Sequence, residues 1–200
     1  FKIIYKTNDL IVSFDGCCYI SKECGKKDTC WTHTDQAPNS KGFQCYQGFV
    51  SLTENKERTL VVYEGTHLLH DSYFRDKGIE SDNNWQLIDP NIVSSLASCK
   101  KVLHVPAGAL VLWDSRVFHQ NQYGAPFSEE RMVQYVCYFP KNHPKNTDAM
   151  KQKRWKYFQA RRTTTHWPCP IHVIPLQPNT YGDTSRIIDY SIVSKQSLEN

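Results

Sequence analysis

The feature that most constrains this chain is a succession of short runs rich in Val, Leu, Tyr and Phe, each closed by glycine or proline. The runs are Leu10 to Phe14, Phe43 to Leu52, Leu60 to Glu64, Lys100 to Val105, Ala109 to Trp113 and Met132 to Phe139. Gly42, Gly65, Pro106-Ala107-Gly108, Tyr123-Gly124-Ala125-Pro126 and Pro140 punctuate them. Runs of that length and composition suit strands, and a dense series of turn signals suits a sandwich or jelly roll. Two stretches read as helix. Thr66 to Lys77 carries Leu69, Tyr73 and Phe74 at helical spacing with Thr66 as N-cap, and Asn146 to Arg162 carries Met150, Trp155 and Phe158 among basic residues. The expectation is one domain over residues 1–200: mainly β, with flanking helices, a β core over about 31–140, and a C-terminal helix and irregular tail over about 146–200. The tail after Arg162 is expected to pack on the outside and to fray from Ser194 to Asn200.

Two hundred residues are enough to bury a sizeable core without covalent staples. The eight cysteines form no compact disulfide framework and include no CxxC pair, so reduced thiols in an intracellular, cytoplasmic compartment are expected. Cys45 and Cys137 lie in apolar runs, where a thiol behaves as a small hydrophobe, and Cys24 and Cys30 are weak zinc candidates. No apolar stretch reaches the length of a membrane span. A net charge of +4 fits a solvated surface. The basic and aromatic run Lys151-Gln152-Lys153-Arg154-Trp155-Lys156, with Arg161-Arg162, reads as a solvated helix face rather than a nucleic-acid surface.

The chemistry concentrates in Trp31-Thr32-His33-Thr34-Asp35-Gln36. On an extended backbone, residues two apart share a side, so His33 and Asp35 can take adjacent positions on one metal. His119, at the end of the strand-like segment from Leu110, is the candidate third ligand. Two imidazoles and a carboxylate on one face of an octahedron form the facial triad of non-haem Fe(II) oxygenases. By itself HxD is weak and reads more readily as a surface His-Asp pair. Arg131, twelve residues after His119, opens the apolar run Met132 to Phe139. A guanidinium buried there needs an anion, either the far carboxylate of 2-oxoglutarate or a neighbouring acid such as Glu129 or Glu130. Among the other histidines, His67 is assigned a hydrogen-bonding role in its turn in preference to a ligand role with His70. His104, His143, His166 and His172 have no second ligand at a persuasive spacing. Arg116 is expected in a salt bridge.

In this order the segments resemble the phytanoyl-CoA dioxygenase-like branch of the Fe(II)/2-oxoglutarate oxygenases. The resemblance runs from Trp31-to-Gln36 through Phe43-to-Leu52, Leu60-to-His67 with its Gly65-Thr66-His67 turn, and Val105-Pro106-Ala107-Gly108. It continues into Trp113-Asp114-Ser115-Arg116, His119 and Arg131, covering residues 31–139. Leu10 to Gly16 and Thr164 to Pro168 also look like flanking segments of fungal and viral-type members. The resemblance implies a double-stranded β-helix (jelly roll, cupin-like) with Fe(II) on His33, Asp35 and His119. It implies 2-oxoglutarate as co-substrate on Arg131, with Gln47 and Phe49 beside it. The implied reaction consumes O2, hydroxylates a small molecule and releases succinate and CO2. Asp35 favours hydroxylation over halogenation, because halogenases of the superfamily lack that carboxylate. The family's Gly-rich approach to the turn is replaced by Asn55-Lys56-Glu57-Arg58-Thr59, a loop that borders the active-site mouth in relatives. The alternatives are a metal-binding jelly roll without 2-oxoglutarate turnover, or an oxygenase acting on a protein or nucleic acid.

Overall fold

The computed structural model describes residues 1–177 and 184–192; the polar end from Ser194 to Asn200 lies outside them. Ten strands form two antiparallel sheets. In the first, β1 (Leu10–Val12) and β2 (Cys17–Ile20) both pair with the long β10 (Arg131–Pro140), which pairs in turn with β4 (Tyr46–Ser51) and through it with β8 (Leu110–Asp114). The second sheet runs β6 (Gln86–Leu87), β3 (His33–Thr34), β9 (His119–Asn121), β5 (Leu60–Tyr63), β7 (Lys100–Val102). The expected mainly β architecture is therefore present. The strands β1, β4, β5 and β7 are shorter than their apolar runs and β10 is longer, and β2, β6 and β9 were not read from composition.

The alternation along β10 explains why it anchors the first sheet. Arg131, Val133, Cys137 and Phe139 are buried, whereas Gln134, between them, is exposed. Its inner residues meet those of β4 and β8, with Tyr135 opposite Phe49 and Gln47 opposite Trp113. Leu60 from the second sheet joins Phe49, Trp113 and Val133 in one core cluster, so the two sheets share an interior. The outer side of β5 is covered too. Val61 and Tyr63 pack with Phe74, Ile88, Val93 and Phe118 beneath α2 (His70–Lys77) and α3 (Pro90–Ser95). Burial on both faces is why residues 60–63 are uninterruptedly apolar rather than alternating.

The helices differ in detail from the expectation. Thr66 is not an N-cap: Gly65 precedes a short 3-10 turn, Thr66–Leu68, and α2 starts only at His70. The Thr66 hydroxyl instead donates to the Tyr63 carbonyl (2.7 Å) and accepts from the Phe118 amide (2.9 Å), tying the turn to the chain entering β9. The buried face of α2 is His70 and Phe74, while Leu69 is exposed. Two helices were not foreseen, α1 (Lys2–Tyr5) and α3, the latter capped by Asp89 with Pro90 in its first turn. The basic helix is α4 (Asp148–Gln159), capped by Thr147. It is not solvated throughout, since Arg154 donates to the carbonyls of Pro168 and Val12 (both 2.7 Å). Arg162, just beyond it, donates to Ile174.

All eight cysteines are free thiols, and Cys45 and Cys137 are buried as expected. They cluster with Phe139, Trp167 and Cys169. The first part of the segment after Arg162 enters the body of the protein, with Thr164, Trp167, Cys169 and Ile171 buried, whereas Ile174, Leu176, Ile187 and Ile192 beyond it are exposed, as an outer tail would be. Among the described residues no helix is long and apolar enough to cross a membrane.

Candidate metal centre

His33 and His119 are directly opposite one another in the β3–β9 pairing, although 86 positions separate them in the chain. His119 does not end the strong strand β8, as the sequence suggested. The chain leaves β8 at Asp114, turns through Ser115 to Phe118, and opens β9 in the other sheet with His119. Asp35 lies one residue past β3, its amide donating to the Ser115 carbonyl (3.2 Å). The ligand atoms of His33, Asp35 and His119 all lie within 4.8 Å of one another, and all three residues are buried. Asp35 Oδ2 is 3.2 Å from His119 Nε2, and its Oδ1 is 3.6 Å from His33 Nε2. Among the described residues this is the one group of three or more His, Cys, Asp or Glu side chains close enough to hold a metal ion.

Each imidazole is oriented from behind. His33 Nδ1 is 3.2 Å from the Trp31 carbonyl, and His119 Nδ1 is 2.9 Å from the Val117 carbonyl. A carbonyl only accepts, so in both rings Nδ1 carries a proton and Nε2 is turned to the shared point, the usual support of a metal-binding histidine. Burial, reinforced by the neighbouring His119, lowers the pKa of His33 to about 4 against the opposing pull of Asp35. Burial alone would raise the pKa of Asp35, but hydrogen bonding and charge from His119, followed by His33, outweigh it and hold the carboxyl below the ordinary carboxylate range. The result is a neutral His33 imidazole beside an ionised Asp35 carboxylate at neutral pH, protonation states that suit a divalent cation.

The backbone carrying the motif is locked by buried polar residues. Gln36 donates to the carbonyls of Ser40 (2.7 Å) and Gly42 (2.8 Å), and its own side-chain oxygen accepts from Ser115 Oγ (2.8 Å). Thr34 donates to the Ser115 carbonyl (2.9 Å). His70 Nε2 reaches the Gln36 carbonyl (3.1 Å), so the structural hydrogen-bonding role assigned to His67 belongs to His70, one helical turn further on. Arg116 forms the expected ion pair, a bidentate one with Asp114.

Arg131 is fully buried. Neither neighbouring acid compensates it. Glu129 accepts from the amides of Lys56, Glu57 and Arg58 (2.6, 2.8 and 2.9 Å), and Glu130 accepts from the Tyr19 hydroxyl. The contacts of Arg131 are Asn55 Oδ1 (3.3 Å), Cys18 Sγ (3.2 Å) and the face of Phe49 (5.5 Å), and its Nη2 has no partner. Other polar atoms in the same interior are also orphaned: both side-chain atoms of Gln47, Trp113 Nε1 and Asn121 Oδ1. Ring contacts lead from the triad to the guanidinium, His119 to Trp113 (5.3 Å) and Trp113 to Phe49 (6.0 Å). Phe49 itself is core, with its polar neighbours on either side.

The surroundings of Asp35 come from parts of the chain outside the His-Asp motif. A cavity of about 510 Å³ opens on Asp35 and is walled by the loop 82–85 and the segment 165–174. His166, for which no ligand partner was expected, contributes to that wall and pairs with Asp15 (2.9 and 3.0 Å). Burial works against protonation of His166, but its hydrogen bond to Asp15 and the charges of Asp35 and Asp15 raise its pKa to about 9. The Asn55-to-Thr59 loop contributes nothing to this cavity; Asn55, Arg58 and Thr59 are buried.

No family model matches the chain. It is similar to the Ava biosynthesis cluster protein O of Aspergillus versicolor, with 26% identity over 182 residues covering 84% of this chain. The chain spans 58% of the length of that relative.

Proposed function

We propose that this chain is an Fe(II)- and 2-oxoglutarate-dependent oxygenase on a double-stranded β-helix, hydroxylating a small molecule. The observation that carries the reading is the buried guanidinium of Arg131, which lacks an acidic partner in the interior it shares with a His33-Asp35-His119 triad. A buried cation without a counter-charge costs several kcal/mol by the usual order of magnitude, so a site of this kind is built for an anion that arrives later. A dicarboxylate fits: one end chelates a metal and the other meets a planar fork of donors.

The three ligands would hold Fe(II), which when loaded with 2-oxoglutarate and O2 supplies the oxidising power for C–H hydroxylation. The chain's own residues do the rest. Trp31 and Val117 keep the two Nε2 atoms turned inward through their carbonyls. Arg131 Nη2 and the orphaned Gln47 amide receive the carboxylates, and Phe49 and Trp113 keep water from the space between. That a similar protein is named for a biosynthesis cluster agrees with an enzyme acting on a small molecule.

The test is an anaerobic titration of the Fe(II)-loaded protein with 2-oxoglutarate, following the visible charge-transfer band of the chelate. The band is expected in the wild type and absent in His119→Ala. Bound iron without a band would leave a metal-binding β protein that does not use 2-oxoglutarate.

A further inference from the structure

The cavity over Asp35 differs from the co-substrate interior in what its polar groups are free to do. Among the described residues no lysine or arginine lines it. Asp82 accepts from Asn39 Nδ2 (3.0 Å), and Asn84 accepts from the Ala37 amide (3.1 Å), which fixes the loop against the metal-binding segment. His166 is paired with Asp15. With these side chains engaged, the large aromatic left exposed in the lining is Trp85, in the company of Pro170 and Ile174, whereas Trp167 is buried and barely reaches the cavity.

Trp85 stands out among these. It is a large aromatic left 46% exposed, and its ring lies against that of His33, 5.4 Å between centroids. Its backbone φ is +79°, a region that a bulky side chain enters only under strain. Strain of this kind persists where the surroundings impose it and gathers at ligand-contacting positions. Here it holds an exposed indole face next to a metal ligand, at the entrance to a cavity large enough for a ligand of drug-like size.

From these features we infer that the cavity binds an uncharged, flat aromatic or polycyclic molecule stacked on Trp85, with Trp85 as the specificity-determining residue. Described as the substrate, this ligand rests on the oxygenase reading above; as a ligand, it does not. Stacking on the exposed indole face of Trp85 supplies the affinity. A polyanionic carrier such as an acyl-coenzyme A is excluded by the same walls, because nothing cationic and unengaged lines them to meet its phosphates.

The test uses saturation-transfer NMR on the full chain, with indole and coenzyme A as probes, for the wild type, Trp85→Ala and Trp85→Phe. Indole should bind the wild type, weaken by about tenfold or more in Trp85→Ala, and stay within about threefold in Trp85→Phe, the stacking contribution of one ring. Coenzyme A should give no signal. Coenzyme A competing with indole, or Trp85→Ala binding indole like the wild type, would overturn the inference. A second arm adds Mn(II), which should broaden the bound indole protons by proximity to Asp35. Mn(II) bound without broadening places indole elsewhere and also refutes it. Trp85-dependent indole binding by a chain that takes up no metal would sink the oxygenase reading alone and leave the aromatic site standing.

Discussion

On the proposed reading, Arg131 is a residue kept for function against the interest of the fold. It is completely buried, one guanidinium nitrogen has no partner, and the nearest acids are engaged elsewhere. Replacing such a cation by an apolar side chain of similar length removes a desolvation penalty, which in buried charged sites has been neutral or stabilising. Arg131→Met is therefore expected to keep or raise the thermal midpoint, while weakening 2-oxoglutarate binding by about tenfold or more, the loss of roughly one charge-assisted hydrogen bond. Calorimetric scanning and the charge-transfer titration would read the two effects separately. A large drop in stability would mean that the guanidinium is a structural element. Arg131 was legible in the sequence because a cation opening an apolar run is anomalous in any fold. His33 and Asp35 were legible because two-residue spacing fixes their common side. His166 was not: its partner Asp15 is 151 positions away, and no local pattern records that contact. Confusing His67 with His70 has a related cause, since both suit the turn and only the packing of α2 decides which ring reaches the Gln36 carbonyl.

Among the elements, β4 sets how closely the first sheet can be assembled. A Cβ built on Gly48 would come within 2.6 Å of both the Leu112 side chain and the Val111 carbonyl oxygen on β8. The carbonyl belongs to the paired backbone and cannot swing away. Gly48→Val is expected to cost about 1–3 kcal/mol, the usual penalty of overpacking, measured by urea unfolding. It should also reduce 2-oxoglutarate affinity, because Gln47 and Phe49 flank it on the same strand. An unchanged unfolding midpoint would show that the β4–β8 pairing gives way without cost. Composition announced β4, β5, β8 and β10, whose apolar runs are long enough to stand out. It did not announce β6 or β9, of two and three residues, which are strands only because β3 and β5 offer them partners. The start of α3 was written in Asp89-Pro90, a cap followed by a first-turn proline, and could have been read.

At the scale of the whole molecule, the segment after Arg162 closes the structure over its own site. Trp167, Cys169 and Ile171 enter the body of the protein, Arg154 of α4 holds the Pro168 carbonyl, and His166 is paired to Asp15 just after β1. The histidine gives this closure a pH dependence. Its pKa is raised from 6.5 to about 9 in the folded state, so the stabilisation is fully present below pH 6.5 and is lost as pH rises through 9. Amide hydrogen exchange, corrected for intrinsic rates, should therefore show the 163–174 segment opening more readily above pH 9, and His166→Asn should abolish that dependence. An identical pH profile in the variant would show that the pair does not hold the segment. The sequence by itself determined the β-rich character, the candidate triad and the anomalous arginine, because alternation, spacing and a misplaced charge are local signals. Only the tertiary structure decided that His33 faces His119, that Arg131 lacks an acid, and that a loop at 82–85 and a tail at 165–174 wall the cavity. Each of these depends on which distant segments pack together, and contact between distant segments leaves no period or motif along the chain.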